Sequence, residues 1–221
     1  MTSHGPDAKI LPVGLPAADE LLPILWQVIE NWHAKEHLVQ DWDDALRVLP
    51  PEHEGWSALA ELLQLINTFQ WHEEDRSRAH EDDSEVLAAV KQSIDASNAR
   101  RVKTIELIDG QIMQVLAASG LPVTSAPLNS ESPASIVDRI TVLALKLYHI
   151  REELSTAGGT GDEAKLHARL ESLKEQIDDL AGCLDGLFLD IAAGLRSIKL
   201  YRQIKVYKDP ATGRYRSGLG D

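Results

Sequence analysis

The sequence predicts an all-α protein: a single bundle of about five helices with a long C-terminal helix. Three observations predict it. Leu, Ala, Glu, Asp, Lys and Arg dominate, and sustained period-two alternation is scarce, which argues against strands. Apolar residues recur at spacings of three and four through five stretches separated by proline, glycine and short polar residues. Hydrophobic residues make up 43% of the 221, enough to fill one sizeable core. The expected organisation is an N-terminal arm over 1–18, one helical domain over 19–210 and a tail over 211–221.

Gly5, Pro6, Pro12, Gly14 and Pro16 break any helix in the arm. A first helix is expected from about Ala17 to Val39, with Leu21, Leu25, Val28 and Ile29 inward and Pro23 in its opening turns. "DWDDALRVLPPEHEGW" (41–56) reads as a connection broken by Pro50 and Pro51. Ser57 then caps a second helix with an apolar stripe of Leu59, Leu62, Leu63, Ile66 and Phe69. "HEDDSEVL" (80–87) either continues that helix or interrupts it. A third helix runs from about Ser84 to Ala118, until Gly120 and Pro122 stop it. Ser132-Pro133 opens a fourth, about 133–155, because proline suits a first helical turn. That helix is apolar nearly all round, which places it centrally. "TAGGTGD" (156–162) is a flexible turn. The last helix carries Leu166, Leu170, Leu173, Ile177, Leu180, Leu184, Leu187 and Ile191, a heptad seam that packs within the chain or against a second copy as a homodimer. Its end is expected near "YKDP" (207–210), since residues before proline leave the helical region.

The net charge is -13, which argues against a nucleic-acid or anionic-membrane binder, both of which need a basic surface. The single cysteine, Cys183, excludes an intramolecular disulfide, and its leucine neighbours suggest a buried thiol. The first residues lack a basic start followed by an apolar run, and no segment has the length of a membrane span. A cytoplasmic protein is expected.

The informative residues are polar ones bordering the apolar stripes. At 100° per residue Asn67, Trp71, Glu74 and Arg78 share one edge of the second helix, with Asp75 and Asp82 beside it. Glu73 points elsewhere, into solvent. Asp95, Asn98, Glu106 and Asp109 share an edge of the third helix with Lys91. Arg101 projects into its apolar stripe and needs a partner, for which Glu74 or Asp75 is the natural choice. The fourth helix adds Asp138, Arg139, Lys146 and His149. The plain alternative is that all of these are solvated faces and interhelical ion pairs.

The spaced blocks carry a resemblance. Asn67-x-x-x-Trp71-x-x-Glu74-Asp75-x-x-Arg78, then Lys91-x-x-Ile94-Asp95-x-x-Asn98-x-x-Arg101, then Ile105-Glu106-x-Ile108-Asp109 resemble the DUF4254 family, a bacterial family of unknown function. "LNSESPASIVDRITVLALKLYHI" (128–150) resembles its second block and "YRQIKVYKDP" (201–210) its closing one. The likeness spans about 60–210. Lys208 stands where the family often has asparagine, and Val102 follows Arg101 where asparagine is expected. The resemblance implies a genomic setting of cell-envelope polysaccharide synthesis and supplies no mechanism.

Two functional readings follow. In the first the protein is a non-catalytic accessory or binding module. It takes a partner, a small anionic ligand or a nucleotide sugar through Asn67, Trp71, Arg78, Asn98, Arg101, Arg139, Lys146 and His149, arginine forks being suited to phosphates and carboxylates. In the second it is a Mg²⁺- or Mn²⁺-dependent hydrolase of a nucleotide or phosphorylated metabolite, with Glu74, Asp75, Asp95, Glu106, Asp109 and Asp138 as oxygen ligands. Its Glu106-x-x-Asp109 is similar to one motif of the MazG pyrophosphohydrolases, but Ser77 stands where the companion motif needs a glutamate. No cofactor is implied outright beyond that metal. A di-iron centre would want Glu-x-x-His, whereas His149-x-x-Glu152 and His33-x-x-Glu36 have the reverse order. There is no G-x-S-x-G, and "GGTG" (158–161) lacks the Lys-Ser/Thr of a phosphate loop. His72 and His80 lie off the Asn67–Arg78 stripe and read as exposed, and Trp71 as core. "KLYRQIKVYK" (199–208) is either a docking tail or a helix over the polar centre.

Overall fold

The computed structural model describes residues 14–15, 17–156, 162–208 and 212–219. Most of the expected arm and the glycine turn at 158–161 lie outside them. Among the described residues the body is all-α, with six α-helices where about five were expected: α1 (Ala18–Lys35), α2 (Trp42–Val48), α3 (Gly55–Ala79), α4 (Ser84–Ala118), α5 (Pro133–Thr156) and α6 (Glu163–Ala192). A 3₁₀ turn, Glu36–Leu38, follows α1, and a two-stranded antiparallel hairpin, β1 (Ile204–Lys208) and β2 (Tyr215–Leu219), closes the chain. Among the described residues no helix is long and apolar enough to cross a membrane.

Local chemistry sets the boundaries. The first turn of α1 lacks a cap of its own, and Asp185 of α6 supplies one, its Oδ1 accepting from Ala18 N at 2.9 Å. The stretch read as a plain connection holds α2, because the Asp41 carboxylate accepts from Asp44 N and nucleates a turn before Pro50. α3 starts at Gly55, two residues before the expected cap Ser57. Asp83 caps α4 by accepting from Glu85 N and Val86 N, so "HEDDSEVL" interrupts the helix. Pro133 begins α5 as expected, with Ser132 Oγ accepting from Ser135 N.

α6 stops at Ala192, well short of "YKDP". The cause is Gly194, at φ +70, where an L side chain is strained. It lets Leu195 N reach back to Asp190 O at 2.8 Å and Gly194 N to Ile191 O at 3.0 Å, closing the helix end. The freed chain then bonds to the α4–α5 loop, through Asn129 N to Ser197 O at 2.7 Å and Ser197 N to Pro127 O at 2.9 Å. Residues 199–203 are irregular, and β1 follows in place of a helix.

The main core joins Leu21 and Leu25 of α1, Leu63 of α3, Ile108 and Ile112 of α4, Ile140 of α5 and Phe188 of α6. Each fully buried side chain of this size contributes roughly 1.5–3 kcal/mol. The heptad seam of α6 is spent inside the chain: Leu184, Leu187 and Ile191 enter this core, and Ile177 meets Leu143 and Leu147 of α5. Cys183 lies off the seam and is exposed, which corrects the buried-thiol expectation. At the far end of the bundle Trp32, Leu65 and Phe69 form one cluster, and Ile29, Ala144 and Leu145 another. Those two clusters border the site.

Candidate functional site

Three apolar stripes end in histidine at this end of the bundle. On α1, Ile29 is followed one turn later by His33. On α3, Phe69 is followed by His72. On α5, Leu145 is followed by His149. α1, α3 and α5 pack on one another, so the three imidazoles meet. Their ring centroids are 5.1 Å apart for His33–His149, 5.2 Å for His33–His72 and 5.9 Å for His72–His149. Each ring is stacked on a different aromatic side chain: His33 on Tyr148 at 4.2 Å, His72 on Trp32 at 5.2 Å and His149 on Trp71 at 5.1 Å. His33 Nδ1 lies 2.8 Å from Ile29 O, and His149 Nδ1 lies 3.0 Å from a Glu152 carboxylate oxygen. Both oxygens accept, so each Nδ1 carries the proton. Nε2 of all three rings is buried and without a hydrogen-bond partner. Burial first, and then repulsion from the other two rings, pushes the His72 pKa down to about 4.

Beside His149 opens a hollow of about 420 Å³ between α5 and α6, lined by Trp71, Lys146, His149, Glu153, Arg169 and Leu173 among others. Neither Lys146 nor Arg169 makes an ion pair with a described residue, whereas Arg76, Arg78, Lys91, Arg101, Arg139, Lys165 and Lys174 all do. Trp71, Lys146 and His149, three of the eight ligand-binding candidates, therefore share one surface.

The other candidates are dispersed. Asn67 and Arg101 join Asp138 in a buried knot between α3, α4 and α5. Arg101 grips Asp138 bidentately, Nε to Oδ1 at 2.7 Å and Nη2 to Oδ2 at 2.5 Å. Asn67 Nδ2 donates to Asp138 Oδ1 at 3.2 Å and to Thr141 Oγ1 at 2.7 Å. The partner of Arg101 is thus Asp138 of α5, not Glu74 or Asp75: the α3 residue level with Arg101 is Asn67, and Glu74 lies two helical turns further along. The carboxylate holds the guanidinium above its ordinary pKa. Arg78 pairs with Asp75 on the surface, Arg139 with Glu131 and Lys91 with Asp95, while Asn98 is exposed. Glu74 is half-buried on α3. Glu73, expected in solvent, is buried and accepts from Arg76. Its position on α3 faces the hollow at the Glu36–Leu38 turn, a neighbour no periodicity reveals.

Glu106 accepts from Gln203 N at 2.9 Å and so pins the irregular segment after α6. Asp109 accepts from Ala134 N at 2.9 Å in the first turn of α5, and burial raises its carboxyl pKa above the ordinary range. Both line a second hollow of about 390 Å³ that Asn129 and Arg202 also border. Among the described residues the one set of three metal-capable side chains with converging ligand atoms is His33, His72 and His149. One ligand nitrogen from each lies within 4.8 Å of the others. The six candidate carboxylates do not converge. His72, read as exposed, belongs to the set, and His33 was weighed only as half of a reversed motif. Spacing would have found both: each continues a buried stripe by three or four residues.

Fold and site together define a helical-bundle protein with an aromatic and histidine-lined end next to a basic hollow. The family described as "Protein of unknown function (DUF4254)" matches residues 57–200, and the chain belongs to that family. His72 and His149 fall inside the matched region, and His33 precedes it. No curated protein and no solved structure matches the chain.

Proposed function

We propose that the protein is a binding module that takes a small phosphate-bearing molecule, of the nucleotide-sugar class, in the hollow at Trp71, Lys146, His149 and Arg169. One observation carries this reading: two cations from neighbouring helices face one concavity, and neither is neutralised by a described carboxylate partner. Phosphate oxygens supply that neutralisation. Glu153 on the rim leaves the hollow a modest positive excess, enough to favour an anion without holding it irreversibly. A volume of 420 Å³ suits a small molecule, and the apolar flank of Trp71 and Leu173 suits a sugar or base ring. The setting in cell-envelope polysaccharide synthesis implied by the family likeness agrees with such a ligand.

The test is calorimetric titration of the full chain with inorganic phosphate, a nucleoside diphosphate and a nucleotide sugar, repeated on Lys146→Ala/Arg169→Ala. The reading expects saturable binding of a phosphate-bearing ligand that weakens at least tenfold in the double variant. Equal binding by both proteins, or none by the native chain, sinks it.

A further inference from the structure

We propose that His33, His72 and His149 form a binding site for one divalent transition-metal ion of the zinc type, with three imidazole ligands and one coordination position open to an exogenous group.

The site is built from three helices far apart in sequence, which excludes a local accident of helix spacing. The bundle's end is where buried stripes normally finish in apolar or solvated residues. Here all three finish in imidazole, and one nitrogen of each approaches the others within 4.8 Å. Three imidazole nitrogens around a tetrahedral zinc ion stand about 3.4 Å apart at the usual bond length of about 2.0–2.1 Å. Small rotations about the side-chain torsions close that gap.

The tautomers point the same way. His33 donates Nδ1–H to the Ile29 carbonyl, and His149 donates Nδ1–H to the Glu152 carboxylate. Those bonds leave a lone pair on each Nε2. Metal-ligating histidines are held by this device, the far nitrogen tied to a carbonyl or carboxylate so that the near one faces the ion. The Nε2 of His72 likewise has no hydrogen-bond partner among the described residues. Buried polar atoms are nearly always hydrogen-bonded, so three unpartnered ring nitrogens at one place call for a common partner. One cation serves all three.

Each ring is stacked on Tyr148, Trp32 or Trp71, which narrows the range of orientations it takes up around an ion. The donor set selects the class of metal. Three neutral nitrogens without a carboxylate suit Zn²⁺, Co²⁺, Ni²⁺ or Cu²⁺, whereas Mg²⁺ and Ca²⁺ want oxygen. Among the described residues no fourth histidine, cysteine or carboxylate joins the group. Three protein ligands and an open position are the arrangement of zinc sites that bind a water or a substrate.

The experiment uses the full chain, stripped by chelator and dialysed. Zn²⁺ is titrated in competition with a chromophoric chelator, and Co²⁺ binding is followed by its visible d–d absorption. The proposal expects one Zn²⁺ per chain, Co²⁺ bands of a four- or five-coordinate nitrogen-rich site, and no competition from Mg²⁺. Glu152→Gln weakens Zn²⁺ roughly tenfold through the orientation of His149. His72→Ala and His149→Ala each weaken it further and abolish the Co²⁺ bands. Should those variants fail to fold, X-ray absorption of the native Zn²⁺ complex decides, because three imidazoles give a multiple-scattering pattern that oxygen ligands lack. An oxygen-only shell, Zn²⁺ binding unchanged in a folded His72→Ala, or no binding to the native chain overturns the proposal. Lys146→Ala/Arg169→Ala retains its Zn²⁺ affinity, so a failed phosphate site and a failed metal site are read separately.

Discussion

Asp138→Ala removes the centre of the buried knot between α3, α4 and α5. The Asp138 residue is 7% exposed, and its carboxylate accepts both Arg101 bonds and one from Asn67. Asn67 keeps Thr141 as an acceptor, so the damage falls on Arg101. Removing one member of a fully buried ion pair costs about 3–5 kcal/mol, because the remaining charge stays buried. The Arg101 side chain is 30% exposed, so water takes over part of its solvation and about 2–3 kcal/mol is expected. In a chain of this length that lowers Tm by about 5–10 °C. Asp138→Asn keeps one acceptor oxygen and loses the charge, so it costs less. Arg101→Met with Asp138→Leu removes both charges and should return to within about 1 kcal/mol of the native chain. Urea unfolding of the native chain, these three variants and the singles Arg101→Met and Asp138→Leu measures these differences. A loss under about 1 kcal/mol in Asp138→Ala, or a double variant as weak as the sum of its singles, refutes the reading of the knot as a structural ion pair.

Substitutions at three further positions probe other links. Phe188→Ala empties the centre of the main core, where Phe188 is fully buried, and should cost about 3–5 kcal/mol by urea unfolding; less than 1 would mean the core collapses around the gap. Gly194→Ala forces a side chain into φ +70, with its Cβ 3.3 Å from Val123 Cγ2, and should cost about 1–2 kcal/mol by thermal melting, with Gly194→Asn milder because asparagine tolerates that region. Asp109→Ala strands the Ala134 N–H and should cost about 1–3 kcal/mol, whereas Asp109→Asn preserves an acceptor. Because burial raises the Asp109 pKa, the folded chain holds that proton more tightly than the unfolded one. Its contribution to stability is therefore fully present below the ordinary carboxylate pKa and declines as pH rises through the folded value. The stability of Asp109→Asn relative to the native chain should rise over the same range, and a flat difference between acid and neutral pH would refute the assignment.

Helices were legible where an element declares itself locally. Ser84–Ala118 stands as expected because Asp83 caps it and Gly120, at φ +72, ends it, and Pro133 opens α5 for equally local reasons. The misreadings arose where two local signals compete. The run after Gly194 is free of proline until Pro210, which invites a longer helix, yet Ile204 and Val206 alternate with lysine and tyrosine in a strand pattern. α2 is masked in the sequence because Pro50 and Pro51 signal a loop, although the Asp41 cap stands nine residues before Pro50. The site was legible in part. Trp71, Lys146 and His149 were picked out because they interrupt or border apolar stripes, and they do share a surface. Arg101 was correctly seen to need a partner, but which helix faces it is a fact of packing that spacing within one helix does not contain.

That limit explains why two sets of buried polar residues on the same helices differ in kind. Asn67, Arg101, Asp138 and Thr141 include a charge of each sign, so donors meet acceptors and the knot closes on itself. Such a set needs nothing from outside, and its cost is desolvation alone. His33, His72 and His149 bring like groups together. Once the Ile29 carbonyl and the Glu152 carboxylate have taken the Nδ1 protons of two rings, those rings face inward as acceptors. Two such acceptors cannot satisfy one another, and the Nε2 of His72 beside them has no partner either. In one dimension both sets look the same, polar residues at the margin of an apolar stripe. The difference appears only when donors and acceptors are counted across helices, and a count that fails to close among buried groups is what separates a site from a scaffold.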